Sequence, residues 1–226
     1  MAELLAARFR ISAIDQRGHG RALKPPTGYA AADYARDIAE TLEEKTPLIG
    51  HPLGARNALV TGERYPQKVS AVVAIDFTPF IEPEVFDALD SRVDGGARDF
   101  ASADEIRNYL KGRYPRLPAD AIERRARHGY EQNEGRWRPL AAPAAMRETC
   151  KGLRQDLVVT LKQIQVPVLL LRGQESKLVS PEAWAKTRAL RPDITAREIA
   201  GADHYVPEEQ PAAVAAAVLD FWDAIQ

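Results

Sequence analysis

The sequence predicts an α/β fold in which a mostly parallel sheet is covered by helices on both faces. Three observations lead to this prediction. Short apolar runs rich in β-branched residues alternate with helical patterns along much of the 226-residue chain. Several of these runs are apolar throughout, as in strands buried on both faces. Polar, glycine-containing turns follow several of the runs.

Five strands are predicted, at residues 9–14, 46–49, 69–75, 166–171 and 194–199. A helix should follow the first strand, because Tyr34, Ile38 and Leu42 recur at intervals of four. A second helix should run through about Glu63, before a proline. The last helix is predicted over about 211–225. Strands that alternate with helices in this way indicate a parallel arrangement.

Between residues 82 and 154 the pattern changes to helices only, which predicts a helical cap insertion in a core made of 1–81 and 155–226. Residues 92–154 hold 14 basic and nine acidic side chains, a surplus of five positive charges in a chain of net charge −1. Arginines that point inward would favour a small anionic ligand such as a carboxylate. Solvated helix faces are the alternative.

The composition excludes several classes of function. With 31 Lys+Arg against 32 Asp+Glu, the chain has no overall positive field for nucleic acid or an anionic membrane. Cys150 is the single cysteine, and no His/Cys cluster has metal-ligand spacing. No apolar run is long enough to span a membrane, and the N-terminal residues lack a signal-peptide layout. We therefore expect a cytoplasmic protein without metal, cofactor, nucleic-acid or membrane partner; association of identical copies stays open.

Three motifs stand at the C-terminal ends of predicted strands: Asp15-Gln16-Arg17-Gly18-His19-Gly20, Gly50-His51-Pro52-Leu53-Gly54 and Gly201-Ala202-Asp203-His204. In this order they resemble the motifs of the α/β-hydrolase superfamily, whose nucleophile elbow reads G-x-S-x-G. The resemblance implies that His204 is the general base and that Pro52 occupies the nucleophile position. Of two family positions for the acid, we choose Asp76, with Glu175 as the fallback.

Within the superfamily, three segments resemble those of (E)-2-(acetamidomethylene)succinate hydrolases: DFTPFI at 76–81, GRYPRLP at 112–118 and SKLVS at 176–180. That family opens an enamide dicarboxylate with a serine nucleophile and a histidine–aspartate pair. The resemblance implies a small carboxylate substrate. Its candidate contacts here are Arg113, Tyr114, Tyr205, His51 and Leu53, with a structural role for His51 as the alternative.

Pro52 departs from the superfamily pattern. Its side chain has no heteroatom that can attack a substrate, so no acyl-enzyme can form on it. Proline also fixes φ near −65° and suits the start of a helix, which predicts an ordinary strand-to-helix turn instead of a strained elbow.

The N-terminal side departs as well, since Met1 stands only fourteen residues before Asp15. Superfamily members carry further strands and an oxyanion loop before this turn, and their sheet order places a strand between those predicted at 9–14 and 46–49. The sequence therefore predicts an N-terminally truncated version of the fold. The two strands could pair directly, the chain could be a fragment, or another chain could fill the gap.

Three functional hypotheses follow. The first is a hydrolase by descent, acting on an ester or amide of a small carboxylate and impaired by Pro52. The second is a non-catalytic small-anion-binding or vestigial protein. The third is an enzyme in which His204 and Asp76 act as a general-base pair.

Overall fold

The computed structural model describes the whole chain, Met1 to Gln226. Its six strands are β1 (Thr46–Gly50), β2 (Val69–Ile75), β3 (Tyr130–Asn133), β4 (Arg136–Pro139), β5 (Val168–Gly173) and β6 (Thr195–Ile199). The first six helices are α1 (Ala2–Leu5), α2 (Ala31–Thr41), α3 (Leu53–Arg64), α4 (Pro83–Gly96), α5 (Ala103–Arg113) and α6 (Ala119–His128). The others are α7 (Pro143–Leu153), α8 (Val158–Gln163), α9 (Pro181–Leu190), α10 (Val206–Glu209) and α11 (Pro211–Ala224).

The main sheet has four strands in the order β1-β2-β5-β6, and every neighbouring pair is parallel. The predicted α/β class is confirmed. The two central strands, β2 and β5, are buried almost throughout, which explains why their sequences are apolar without alternation. Because all four strands run the same way, their C-terminal ends meet at one edge, where the polar turns lie.

Helices cover both faces of the sheet. Val72 and Leu170 point into the apolar cluster under α2, α3, α8 and α9. Val73 and Leu169, their chain neighbours, point into the cluster under α1, α10 and α11. This alternation follows from the two-residue period of a strand. None of the helices has the length and apolar character needed to cross a membrane.

The strand predicted over 9–14 is wrong. No backbone group of residues 10–15 bonds to another backbone group, and Ile11 and Ile14 are 40% and 47% exposed. The outer edge of β1 has no strand partner, so the direct pairing considered above does not occur. An apolar, β-branched run forms a strand only where a neighbour accepts its hydrogen bonds. The sheet therefore has four strands where five were expected.

The segment between β2 and α8, which we call the insert (residues 82–154), holds helices α4 to α7 and the antiparallel hairpin β3–β4. The expectation of helices only was therefore wrong. Glu134 and Gly135 form the hairpin turn with φ of 49° and 75°. Two left-handed residues are the geometry of a two-residue hairpin loop, for which the glycine was the available signal. The insert has its own apolar cluster, built around Phe100 and Ile106.

Helix α7 anchors the end of the insert on the core. The Arg56 guanidinium on α3 donates to the Gly152 carbonyl (2.6 Å), and the hydroxyls of Tyr34 and Thr149 bond at 2.8 Å. A Cβ added at Gly152 would collide with the Tyr29 carbonyl oxygen, so the absence of a side chain permits this close approach.

We expect Gly152→Ala to lower the free energy of unfolding by about 1–3 kcal/mol, the usual range for overpacking. Thermal unfolding followed by circular dichroism measures this as a lower Tm. Gly112→Ala is the matched control, because a Cβ at that helical position would have no heavy atom within 4 Å. Its Tm should stay the same or rise, since alanine favours a helix. Equal stability of Gly152→Ala and the parent would contradict the packing described here.

Candidate active site

Asp76 lies directly after β2 at the C-terminal edge of the sheet and is completely buried. Its φ of 52° is left-handed, a conformation that aspartate tolerates better than most residues. At this position the chain leaves the strand and turns its carboxylate toward the ends of β5 and β6. Unusual backbone conformations of this kind are often found at functional sites.

The Asp76 carboxylate and the His204 ring form a hydrogen-bonded pair, 2.8 Å from Oδ2 to Nδ1. Two further donors reach the carboxylate: the Gly173 N–H at Oδ1 (3.0 Å) and the Ser176 hydroxyl at Oδ2 (2.7 Å). When Nδ1 carries the proton and donates to Asp76, Nε2 is left as the basic nitrogen. The structure therefore brings together the two residues predicted as acid and base, 128 positions apart in the sequence.

His51 supports the backbone of His204. Its Nε2 lies 2.6 Å from the His204 carbonyl oxygen, and the two ring centroids are 4.8 Å apart. Burial, reinforced by the charge that His204 can carry, lowers the pKa of His51 to about 3. The ring is therefore neutral near pH 7, and Nε2–H donates to the carbonyl. This contact gives His51 the structural role left open above, and its contact with substrate stays a prediction.

Pro52 has φ −65° and ψ −38° and stands immediately before the first residue of α3. The turn is tight, since a Cβ at Gly50 would overlap the backbone of Gly54. It is the ordinary strand-to-helix turn that the sequence predicts, with no left-handed residue at Pro52. Leu53 packs against the cluster of Tyr29 and Tyr34. At position 52, the predicted nucleophile position, the side chain consists only of the carbon atoms of the proline ring.

Beside His204 lies a group of five side chains that we call the arginine–tyrosine cluster: Arg92, Arg113, Tyr114, Arg125 and Tyr205. The Tyr205 ring is 4.8 Å from the His204 ring and 5.0 Å from the Tyr114 ring. Arg113 donates to the Tyr114 hydroxyl (3.1 Å) and, through Nη2, to the Arg92 carbonyl (2.8 Å). The predicted contacts thus form a connected group in which Arg113 contacts Tyr114, Tyr114 contacts Tyr205, and Tyr205 lies against His204.

Sequence reasoning missed Arg92 and Arg125. The Arg92 guanidinium lies 3.4 Å from the Tyr205 hydroxyl, and Arg125 lies 4.4 and 4.5 Å above the rings of Tyr114 and Tyr205. The insert contains many arginines, so the surplus of positive charge was the only available signal. It could not identify which of them face the site.

Most basic side chains of the insert are paired with carboxylates. Nine of the 14 in residues 92–154 form salt bridges: Arg98, Arg107, Arg116, Arg124, Arg125, Arg138, Arg147, Lys151 and Arg154. The alternative of solvated helix faces therefore fits most of the basic side chains of residues 92–154. Arg92 and Arg113 have no salt bridge and instead contact phenols and backbone carbonyls. Arg113 is half-buried and Arg92 is exposed, and a guanidinium without a carboxylate partner favours an anionic ligand.

Arg116 connects the insert to the loop that carries His204. Its guanidinium binds Glu175 (2.7 Å), Glu209 (3.2 Å) and the Gly201 carbonyl (3.2 Å). Glu209 in turn accepts the Asp203 N–H at 2.9 Å. Glu175, the fallback acid, is thus engaged by Arg116, whereas Asp76 is the carboxylate that His204 contacts.

The charges of the cluster act on Tyr114. Burial alone would raise the pKa of Tyr114, but the charges of Arg113, Arg125 and Arg92 and the hydrogen bond from Arg113 outweigh it and lower that pKa. For Tyr205, burial and the neighbouring Tyr114 raise the pKa. Burial also raises the pKa of Tyr130 to about 12.

Comparison with known proteins gives a consistent result. The model of the alpha/beta hydrolase family matches residues 1–217. The chain is 50% identical over 224 residues to a 2-(acetamidomethylene)succinate hydrolase of Mesorhizobium japonicum, a match that covers 97% of this chain and 81% of that protein. It is 29% identical to a bifunctional esterase/perhydrolase of Acinetobacter calcoaceticus, over 80% of this chain and 69% of the relative.

Solved structures agree with these matches. The crystal structure of an E-2-(acetamidomethylene)succinate hydrolase superposes with a TM-score of 0.95 at 49% identity and covers 97% of this chain and 83% of its own. A thioesterase domain from the curacin biosynthetic pathway superposes with a TM-score of 0.80 at 22% identity, covering 96% and 83%. At 22% identity, the similarity to the thioesterase domain shows the fold alone.

We expect one tyrosine of the free protein to ionise below the usual phenol pKa of about 10, because guanidinium charges stabilise its phenolate. Ultraviolet absorbance of tyrosinate, recorded as the pH is raised, measures this step. Tyr114→Phe should remove it, whereas Tyr65→Phe, away from the cluster, should leave it in place. A titration of Tyr114→Phe that matches the parent would show that the cluster does not act on Tyr114.

Proposed function

The chain belongs to the alpha/beta hydrolase family, and from that premise we propose that it binds a small dicarboxylate of the acetamidomethylene-succinate type between insert and core. In this proposal the chain descends from hydrolases that open an ester or amide bond of such a molecule. Its serine-type hydrolysis is impaired because Pro52 occupies the nucleophile position.

The observation that carries the proposal is the pair Arg92 and Arg113, two guanidiniums without a carboxylate partner that contact the hydroxyls of Tyr205 and Tyr114. A carboxylate offers two oxygens to a guanidinium fork, and this charge-assisted geometry is among the strongest in proteins. Two such arginines suit a ligand with two carboxylates. The 50% identical relative named for 2-(acetamidomethylene)succinate hydrolysis supports this choice of ligand.

The insert is proposed to act as a cap over this ligand. It supplies Arg92 from α4, Arg113 and Tyr114 from the end of α5, and Arg125 from α6, while the core supplies His204 and Tyr205.

We also propose a cytoplasmic location, which the single, buried Cys150 suits.

Impairment of the serine route is argued from chemistry. An acyl-enzyme needs an oxygen, sulfur or nitrogen that attacks the carbonyl, and the Pro52 side chain has none. Loss of the nucleophile costs on the order of 10⁶-fold in kcat in a serine protease. Residual serine-type turnover at Pro52 should therefore be negligible, which makes anion binding without hydrolysis a direct alternative for the function of this chain.

A second candidate function rests on the intact hydrogen bond between Asp76 and His204. Here Nε2 of His204 would take a proton from water or from the substrate, without a covalent intermediate. General-base catalysis of this kind supplies about 10²–10⁴-fold. Any hydrolysis by the chain should then disappear in His204→Ala, and activity that survives this substitution would exclude the second candidate.

Isothermal calorimetry with succinate as the probe tests ligand binding. We expect binding by the parent chain and roughly ten- to hundred-fold weaker binding by Arg113→Gln, because hydrogen bonds to charged groups contribute about 1.5–3 kcal/mol. Arg124→Gln is the matched control, since Arg124 pairs with Asp120 along an exposed face of α6. Absence of binding, or equal affinity of Arg113→Gln and the parent, would refute the proposed site.

Reaction with a fluorophosphonate probe tests whether the chain has an activated nucleophile. The purified chain should remain unlabelled under conditions in which an active serine hydrolase in the same tube is labelled completely. Intact-protein mass spectrometry measures the adduct. Stoichiometric labelling of this chain would show that another residue serves as an activated nucleophile. It would refute the proposal that covalent hydrolysis is impaired.

A further inference from the structure

Ser176 lies in the loop after β5, is 6% exposed, and touches the acid of the candidate pair. Its hydroxyl makes three hydrogen bonds. The oxygen accepts the Val179 N–H at 3.0 Å and the Leu178 N–H at 3.3 Å. The third bond, at 2.7 Å, joins it to Oδ2 of Asp76.

The direction of this third bond is determined by the other two. A backbone N–H can only donate, so both acceptor positions of the Ser176 oxygen are occupied, and its one proton must point to Asp76. On the other carboxylate oxygen, the Gly173 N–H also can only donate. Both oxygens of Asp76 therefore accept a hydrogen bond from a group that can only donate to them, which is the arrangement that suits an ionised carboxylate.

The same Oδ2 faces Nδ1 of His204 at 2.8 Å. With Asp76 held as an acceptor, that nitrogen must carry a proton, and in the neutral ring Nε2 then keeps its lone pair. We propose that Ser176 is a positioning residue that holds Asp76 as an acceptor and thereby fixes the tautomer of His204. Ser176 acts through Asp76 and need not touch a ligand itself.

The loop around Ser176 is held by a buried guanidinium. Arg172, 3% exposed, donates to three carbonyls of this loop, those of Val179 (2.8 Å), Gln174 (3.1 Å) and Ser176 itself (3.5 Å). Its charge is balanced by Glu198 on the neighbouring strand β6. This clamp orients the Ser176 hydroxyl before any ligand binds, as expected of a residue that positions another.

The inference rests on the second candidate function, in which His204 is the base, but its test uses the ligand-free protein. Nitrogen-15 NMR of the chain labelled at histidine reports the tautomer of each of its four imidazoles. The His204 signals are assigned by their loss in His204→Gln. In the parent we expect the Nδ1–H tautomer for His204, with a proton signal that exchanges slowly with water.

Ser176→Ala should lose the slowly exchanging Nδ1 proton signal of His204 and show a mixture of the two tautomers. Ser180→Ala is the matched control, because Ser180 caps α9 and contacts Glu82 instead of Asp76. A His204 spectrum in Ser176→Ala that equals the parent would overturn the inference, as would a parent protein without the Nδ1–H tautomer.

If Ser176→Ala does not fold, Ser176→Thr decides the question, since threonine keeps the hydroxyl donor. A folded Ser176→Thr protein with the parent's His204 signals supports the inference, and one without them overturns it. Failure of succinate to bind would refute the proposed function and leave this result unchanged, so the two outcomes are distinguishable.

Discussion

The buried carboxylate of Asp76 joins the parts of the core on which the site depends. A carboxylate removed from water is stable only when its oxygens receive hydrogen bonds, and here three donors supply them. The donors come from the end of β5, from the loop after it and from the loop after β6, while Asp76 itself ends β2. Its left-handed backbone is the local strain that turns the carboxylate toward all three. One side chain thus fixes the relative positions of three strand ends and of the His204 ring.

The insert meets this edge of the sheet through charge. Arg116 and Arg125 form three salt bridges with acidic side chains of the core, beside the loop that carries His204. Arg92 and Arg113 are among the five basic side chains of residues 92–154 without a salt bridge, and their partners are phenols and a backbone carbonyl. The cluster therefore has a positive charge that the protein does not neutralise with carboxylates, close to a histidine oriented by a buried acid. That combination underlies the proposed carboxylate site, and it does not depend on a nucleophile at Pro52.

Much of the fold could be predicted because the signals are local. The apolar runs at β2 and β5, the helical spacing of α2, and the turns that carry Asp76 and His204 are each visible within a few residues. The candidate pair was predicted from the resemblance of the turns to the superfamily motifs, and the parallel strands explain why Asp76 and His204 meet at one edge. The predictions failed for the 9–14 run and for the β3–β4 hairpin. The 9–14 run has strand-like residues but no neighbouring strand to bond. For the β3–β4 hairpin, the only signal in the sequence is Gly135 in a polar turn.

By itself the sequence determined the α/β class, the position of Asp76 and His204 at strand ends, and the absence of a nucleophilic atom at Pro52. These properties follow from residue type and short-range periodicity. Only the tertiary structure decided which arginines face the site, that Ser176 donates to Asp76, that His51 supports the His204 carbonyl, and that residues 10–15 remain unpaired. The physical reason is that hydrogen bonds and ion pairs between distant segments depend on where the chain brings them, and many arginines and serines of this chain are equivalent until it folds.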